Sequence, residues 1–326
     1  MRGSIVSAMT DFRFIDRLTR NPAAERGALV RGLLDARASI APKYFYDDVG
    51  CALFGAICEL LEYYPTRTER AIFAQHRDDI AGVVGPGRQF VDLGAGDCHK
   101  AQYWLPFFAP SRYVAVDIAG DALSRALSRL APEFPDLELT GIVADFTDGL
   151  DLAPDLGAAP ALYFYPGSSI GNFAPADALR FLTDVHVHCL ASEGSGLLIG
   201  ADTRKDPRRL TAAYDDAAGV TAAFNRNVLR HVNRLIDTDF DPAVFDHLAF
   251  FDARASRVEM HLVARRRQTV RIGDVDRRFD EGEPIHTENS YKYSPDEFMA
   301  LLHAAGFARV RCWQDAARDF AVYYAA

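Results

Sequence analysis

The segment Phe90-Val-Asp-Leu-Gly-Ala-Gly-Asp97, followed by a second apolar run Arg112-Tyr-Val-Ala-Val-Asp117, constrains this chain more than any other feature. The first run reads as a buried strand that stops at two glycines, the second as a neighbouring strand with an acid at its tip. Paired glycines let a turn of backbone pass close to a ligand, and an acid about 20 residues further on accepts hydrogen bonds from a ribose. The expectation is a nucleoside bound beyond the carboxyl ends of a parallel sheet.

Dinucleotide binding calls for a third glycine, spaced so that a helix packs closely and points its N-terminus at a pyrophosphate. His99 stands at that place here. The turn therefore suits a cofactor without a diphosphate, and S-adenosylmethionine is expected in preference to a nicotinamide dinucleotide.

Residues 70–204 alternate strand-like and helix-like segments, the rhythm of a doubly wound sheet covered on both faces. Strands are predicted at Gln89–Leu93, Arg112–Val116, Leu137–Val143, Ala161–Tyr165 and Gly196–Ala201. Residues suited to a ligand follow four of them: 92–96, Asp117, Asp145 and 167–172. From residue 205 to 284 the rhythm changes to one long helix, Arg208–Ile236, a strand-like run Ala253–Val263 and a short strand Thr269–Ile272. This reads as an inserted module, with a flexible connection expected near Asp274–Gly282. Ser294-Pro-Asp-Glu297 carries a capping-box signature for a helix that stops at Gly306. Two last strands, Ala308–Trp313 and Asp319–Tyr324, are expected to return as a hairpin to the sheet edge, as in class I methyltransferases.

Composition narrows the function classes. The chain has 326 residues, 49% hydrophobic and 25% charged, with a net charge of -9, which disfavours wrapping nucleic acid because phosphate binding needs a concentrated basic face. No run approaches the ~18 to 20 apolar residues of a membrane span, and the N-terminal apolar run is too short for a secretory signal, so a cytoplasmic protein is expected. The five cysteines, Cys51, Cys58, Cys98, Cys189 and Cys312, are scattered and expected to be reduced. His186-Val-His188-Cys189 falls near a predicted helix end, where its side chains point in different directions; no metal is expected.

Read together, the remaining unusual segments resemble the histidine-specific N-alpha-methyltransferases of ergothioneine biosynthesis. The segments that carry the resemblance are Lys43-Tyr-Phe-Tyr-Asp-Asp-Val-Gly50, Glu62-Tyr-Tyr-Pro-Thr-Arg-Thr-Glu69, Val91-Asp-Leu-Gly-Ala-Gly96, Gly167-Ser-Ser-Ile-Gly-Asn-Phe173, Tyr214-Asp-Asp-Ala-Ala-Gly219 with Phe224-Asn-Arg-Asn227, and His286-Thr-Glu-Asn-Ser-Tyr-Lys292. The resemblance implies a doubly wound, Rossmann-like class I methyltransferase domain (70–204 and 291–326) and an α+β substrate-binding domain made from the N-terminal segment and the insertion (1–69 and 205–290). It further implies three methyl transfers from S-adenosylmethionine to the alpha-amine of L-histidine, by an enzyme expected to be monomeric, with no nucleic-acid or membrane partner.

Site residues follow from the same resemblance. Gly94, Lys100, Asp117, Asp145, Phe146, Gly167, Ser169 and Tyr46 are implied at the cofactor, with Lys100 at its methionine carboxylate and Asp145-Phe146 at its adenine. Tyr46 is implied at the reacting amine, Asn172 and Tyr214 at the substrate carboxylate, Glu288 and Ser290 at the imidazole, and Tyr63 and Met260 beside the ring. Residues 288 and 290 share one face of an extended strand. Without the resemblance, Lys100 reads as an exposed helix lysine, Glu288 as a surface carboxylate, and Tyr46, Tyr63 and Met260 as core residues; the choice between Tyr63 and Tyr64 stays open. A class I methyltransferase for another amino acid or small amine is the alternative. A nicotinamide-dependent oxidoreductase and a catalytically idle binding module are the readings from other classes.

Overall fold

A computed structural model describes residues 12–18, 22–146, 149 and 152–326. In chain order its strands are β1 (Arg13–Asp16), β2 (Gln89–Leu93), β3 (Arg112–Asp117), β4 (Glu138–Val143), β5 (Ala161–Tyr165), β6 (Gly196–Asp202), β7 (Phe245–Asp252), β8 (Arg257–Ala264), β9 (Gln268–Ile272), β10 (Val275–Phe279), β11 (Pro284–Tyr291), β12 (Val310–Gln314) and β13 (Phe320–Ala325). The helices are α1 (Pro22–Leu34), α2 (Asp48–Cys58), α3 (Tyr64–Val84), α4 (His99–Phe108), α5 (Gly120–Leu130), α6 (Pro175–Leu190), α7 (Pro207–Ala212), α8 (Val220–Ile236) and α9 (Pro295–Ala304). The chain divides into a sheet unit, comprising the described part of Met1–Leu18 with Pro65–Arg204 and Lys292–Ala326, and a second unit, comprising the described part of Thr19–Tyr64 with Lys205–Tyr291.

The sheet unit holds eight strands in the order β1-β4-β3-β2-β5-β6-β13-β12. The pairs from β1 to β6 are parallel, and β13 and β12 are antiparallel. β2, β5 and β6 are buried throughout, because helices cover both faces, and that is why they read as largely apolar runs, interrupted in β2 by Asp92. One face packs α3, α4 and α5 around Phe73, Trp104 and Leu127; the other packs α6 and α9 around Leu182 and Phe298. Strand order reverses between β2 and β5, so the turns after these two strands open at the switch point where doubly wound sheets bind ligands. α9 begins with the expected capping box, in which Ser294 accepts from the Glu297 amide and the Glu297 carboxylate accepts from the Ser294 amide. The C-terminal hairpin joins the sheet through β13 against β6.

The second unit is built on the antiparallel sheet β11-β8-β7 and the hairpin β9/β10. α1, α2 and α8 contribute Leu33, Ile57, Phe224 and Val228 to one apolar core with Leu262, Phe279 and Ile285.

Several expectations are corrected. The single helix Arg208–Ile236 is two helices, because the Asp216 carboxylate accepts from the amides of Val220 and Thr221 at 3.0 and 2.7 Å and starts α8 afresh. The strand expected over Ala253–Val263 begins only at Arg257 and is half of a hairpin, β7 and β8, turned where the Asp252 carboxylate accepts from the amides of Arg254 and Ala255. The connection near Asp274–Gly282 contains β10, paired along its length with β9. Unpredicted β1 lies in the sheet unit beside β4, and the divisions fall after Leu18, Tyr64, Arg204 and Tyr291, where the sequence reading placed breaks at 69, 204 and 290.

Candidate active site

In the sheet unit, the carboxyl ends of β2, β3, β4 and β5 carry residues implied at the cofactor. Gly94 leaves β2 at φ +71, a conformation that side-chain-bearing residues rarely adopt, and its amide donates to Val116 at 2.8 Å. Asp117, at the tip of β3, receives the Gly96 amide on one carboxylate oxygen and the Ala119 amide on the other, both at 2.8 Å. It thereby locks the two turns together. Burial raises the Asp117 pKa, while the backbone donors of Ala119, Gly96 and Ile118 pull it back. Asp145 and Phe146 follow β4, and the Phe146 ring meets Tyr165 edge-on at 5.8 Å.

Below this cradle lies Asp92, buried on β2, whose carboxylate accepts the Tyr113 hydroxyl at 2.8 Å. Burial pushes its pKa to about 7; the Tyr113 bond opposes the rise, and the nearby Asp117 adds to it.

The amino-acid end of the cradle is charged. Lys100, in the first turn of α4, places its ammonium 2.7 Å from Glu69 on α3, and the other Glu69 oxygen accepts the Gly167 amide at 2.7 Å. Ser169 donates to the Pro166 carbonyl at 3.3 Å, and Asn172 closes the short 3-10 turn Ser169–Asn172. The same loop is anchored from beneath, where the Ser168 hydroxyl accepts the Asp202 amide and the fully buried Asp202 pairs with Lys292 at 2.8 Å.

The geometry fits S-adenosylmethionine. A Cβ at Gly94 would lie 3.9 Å from a ring carbon of each of Phe146 and Tyr165, so this turn of backbone runs beside two aromatic side chains. At Gly167, with φ +79, a Cβ would come within 2.7 Å of the Lys100 ammonium. The cradle thus offers exposed backbone, a carboxylate at the tip of β3 and a fixed cation.

In the second unit, five segments distant in sequence bring Tyr46, Tyr63, Tyr214, Met260, Glu288 and Ser290 together. Tyr46 follows the 3-10 turn Pro42–Phe45, and its ring lies 5.9 Å from Phe54 and 6.0 Å from Phe224. Asp47 holds this segment by capping α2 while accepting from Asn227 of α8 at 2.8 Å. Phe54 continues the ring contacts to Tyr63, which meets Tyr214 edge-on at 6.3 Å.

Tyr214 sits in the break between α7 and α8 and donates its hydroxyl to Ser290 at 2.7 Å. Met260 on β8 pairs in register with Glu288 on β11, and both are buried. Tyr63 is held well above the ordinary tyrosine pKa, first by burial and then by the proximity of Tyr214, Cys58, Tyr46 and Glu288. Its hydroxyl stays protonated. Tyr64 points elsewhere: its ring lies beneath Lys205 and Arg209, and Lys205 donates to its hydroxyl at 2.6 Å.

The roles of Glu69, Asp92, Ser168 and the Asp202–Lys292 pair escaped the sequence reading, as did the ring contacts of Phe54 and Phe224, although Asp92 and Ser168 fall within the stretches 92–96 and 167–172 read as suited to a ligand. Glu69 was within reach, since it ends a segment that carried the resemblance. The others depend on partners more than 20 residues away.

Glu259, His261 and His286 are a further grouping that the sequence did not suggest, with ligand-type atoms within 4.8 Å of one another. Arg257 donates twice to one Glu259 oxygen, at 2.8 and 2.6 Å, and His261 Nε2 lies 2.8 Å from the other. The guanidinium already neutralises the carboxylate, so the cluster is a hydrogen-bonded network on one face of β8 and β11. His186 packs on Phe307 at 4.9 Å, and Cys189, one turn further along α6, is buried in the same core cluster as Phe307, while His188 meets Tyr163 at 6.0 Å. All five cysteines are free thiols, and among the described residues no helix is long and apolar enough to cross a membrane.

A parallel sheet with a glycine turn, an acid on the next strand and an antiparallel C-terminal hairpin defines an S-adenosylmethionine-dependent methyltransferase of class I. Residues 25–326 match the family described as "Histidine-specific methyltransferase, SAM-dependent", and the chain belongs to that family. It is 39% identical to the histidine N-alpha-methyltransferase of Mycolicibacterium smegmatis, over 93% of this chain and 95% of that one. It is 38% identical to the histidine N-alpha-methyltransferase of Mycobacterium tuberculosis over the same shares. Ergothioneine biosynthesis protein 1 of Neurospora crassa is 32% identical over 82% of this chain and 31% of its own length.

Proposed function

We propose that this enzyme transfers three methyl groups in succession from S-adenosylmethionine to the alpha-amine of L-histidine, giving hercynine (trimethylhistidine) and S-adenosylhomocysteine for ergothioneine biosynthesis. The observation that carries the reading is the second-unit cluster of Tyr63, Tyr214, Glu288 and Ser290, joined by the Tyr214–Ser290 hydrogen bond. Family membership and the curated relatives support the same conclusion.

The cofactor supplies an activated methyl on a sulfonium. The chain's own residues have to fix cofactor and amine in a near-attack arrangement, which by itself contributes several kcal/mol, on the order of 7 or more. Gly94, Asp117, Asp145, Phe146, Gly167, Ser169 and Lys100 are assigned to holding the cofactor, with Tyr46 contacting it as well. Tyr46 is also assigned to orienting the amine lone pair and passing its proton to water, since a phenol is a poor base in bulk. Asn172 and Tyr214 are assigned to the substrate carboxylate. Glu288 accepts one imidazole N–H and Ser290 adapts to the other ring nitrogen, with Tyr63 and Met260 beside the ring. An amino acid without matching ring nitrogens leaves these buried polar atoms unpaired, which is the basis for rejecting it. The third transfer ends the sequence because a quaternary nitrogen has neither a proton to lose nor a lone pair. In this reading the second unit is the substrate-binding domain, and the enzyme acts as a cytoplasmic monomer without a nucleic-acid or membrane partner.

The test is incubation with S-adenosylmethionine and an equimolar mixture of the common amino acids, with every methylated product followed by mass spectrometry. Trimethylated histidine is the expected end product. Methylation of a different amino acid would keep the methyltransferase and reject the assignment of Glu288 and Ser290 to an imidazole.

A further inference from the structure

We infer that Glu69 is a positioning residue for the amino-acid end of the cofactor, acting through Lys100 and the Gly167 turn. This rests on the assignment of Lys100 to the cofactor's carboxylate.

Glu69 is 1% exposed, and a buried carboxylate is costly unless both of its oxygens are engaged. Here they are, on two separate segments: one receives the Lys100 ammonium at the start of α4, the other the Gly167 amide beyond β5. These are the turns that leave β2 and β5, the two strands flanking the switch point of the sheet. A single side chain from α3 therefore sets the spacing between a cation and a bare backbone turn.

The surroundings are shaped to keep it there. A Cβ at Gly200 on β6 would come within 2.2 Å of a Glu69 oxygen, so that strand leaves room for the carboxylate only by lacking a side chain at this point. Lys100 itself is partly exposed, at 36% of its side chain. Without Glu69 its four-carbon stem is free to swing its ammonium into water, and the order imposed in advance of binding is lost.

The consequence is a selective effect on ligands that carry the amino-acid end. Glu69→Gln keeps the shape and an oxygen for the Gly167 amide but cannot accept from Lys100. Its affinity for S-adenosylhomocysteine is expected to fall about tenfold, the scale of a charge-assisted hydrogen bond. Affinity for 5′-methylthioadenosine, which has the nucleoside and sulfur but no amino acid, is expected to stay within about twofold on the same grounds. Glu69→Asp, which keeps the charge but is one methylene shorter, is expected to fall between.

Isothermal titration of both ligands against the wild type, the two Glu69 variants, Lys100→Met and the Glu69→Gln/Lys100→Met double variant separates the outcomes. A positioning role gives a double variant no weaker for S-adenosylhomocysteine than Lys100→Met alone. Equal losses for both ligands in both Glu69 variants would mean a purely structural role and overturn the inference. Unchanged or tighter S-adenosylhomocysteine binding in Glu69→Gln would also overturn it, since Glu69 would then be competing for Lys100. If Lys100→Met itself leaves the ratio of the two affinities unchanged, the failure lies in the cofactor assignment of Lys100, and the inference falls with it.

Discussion

The two units build their sites from different materials. The sheet unit uses backbone: Gly94 and Gly167 at positive φ, amides gathered by Asp117 and Glu69, and turns that sit where parallel strands end. The second unit uses side chains from separate stretches of chain, with Tyr46, Tyr63, Tyr214, Met260, Glu288 and Ser290 drawn together by packing. A cofactor shared by many enzymes can be held by features inherent in a fold, whereas a choice among amino acids needs polar side chains specific to one substrate.

If that contrast is right, damage to one unit leaves the other's ligand untouched. Glu288→Ala is expected to have the largest effect, lowering kcat/KM for histidine about a thousandfold or more, because it removes the acceptor proposed for an imidazole N–H. S-adenosylhomocysteine affinity, measured by titration, is expected to be unchanged. A parallel loss of both would break the comparison.

Asp117→Ala is the reciprocal case. It removes the bonds to the Gly96 and Ala119 amides along with the proposed ribose contact, so cofactor affinity is expected to fall about a hundredfold. The KM for histidine, taken at saturating cofactor, should barely move.

Asp92 sharpens the comparison through pH. Its folded pKa of about 7 lies above the ordinary carboxylate value, so the folded chain holds a proton there that the unfolded chain releases. Stability from this group is therefore present below about pH 4 and is lost as pH rises towards 7. Asp92→Asn removes the loss, and its unfolding free energy is expected to gain on the wild type between acid and neutral pH by a few kcal/mol. A constant difference across that range would mean that Asp92 is not held protonated.

The smallest effect is expected from Tyr214→Phe. The Tyr214 hydroxyl donates to Ser290 in the free protein and would turn to the substrate carboxylate on binding, so its loss is expected to raise the KM for histidine about tenfold, the lower end for a hydrogen bond to a charged group, with cofactor affinity constant.

The division between what could and could not be read in advance follows the same line. The five parallel strands β2 to β6 were legible to within a residue or so at most ends, because burial on both faces leaves a largely apolar run and most of these runs stop at a polar or glycine turn. The capping box of α9 and the C-terminal hairpin were legible for similar local reasons. The insertion was read less well: Asp216 divides a helix and Asp252 turns a strand by capturing nearby amides, an effect that apolar periodicity does not reveal.

By itself, then, the sequence determined the doubly wound sheet, the class of cofactor and, through the order of its short motifs, the family. Those properties depend on local runs of residues and on spacings of a few positions. Tertiary structure alone decided that Tyr63 stands beside Tyr214 while Tyr64 lies beneath Lys205, that Tyr214 bonds Ser290 across 76 positions, and that Glu69 ties Lys100 to Gly167. Such contacts join residues far apart in the chain, and only the packing of whole elements fixes which side chains meet.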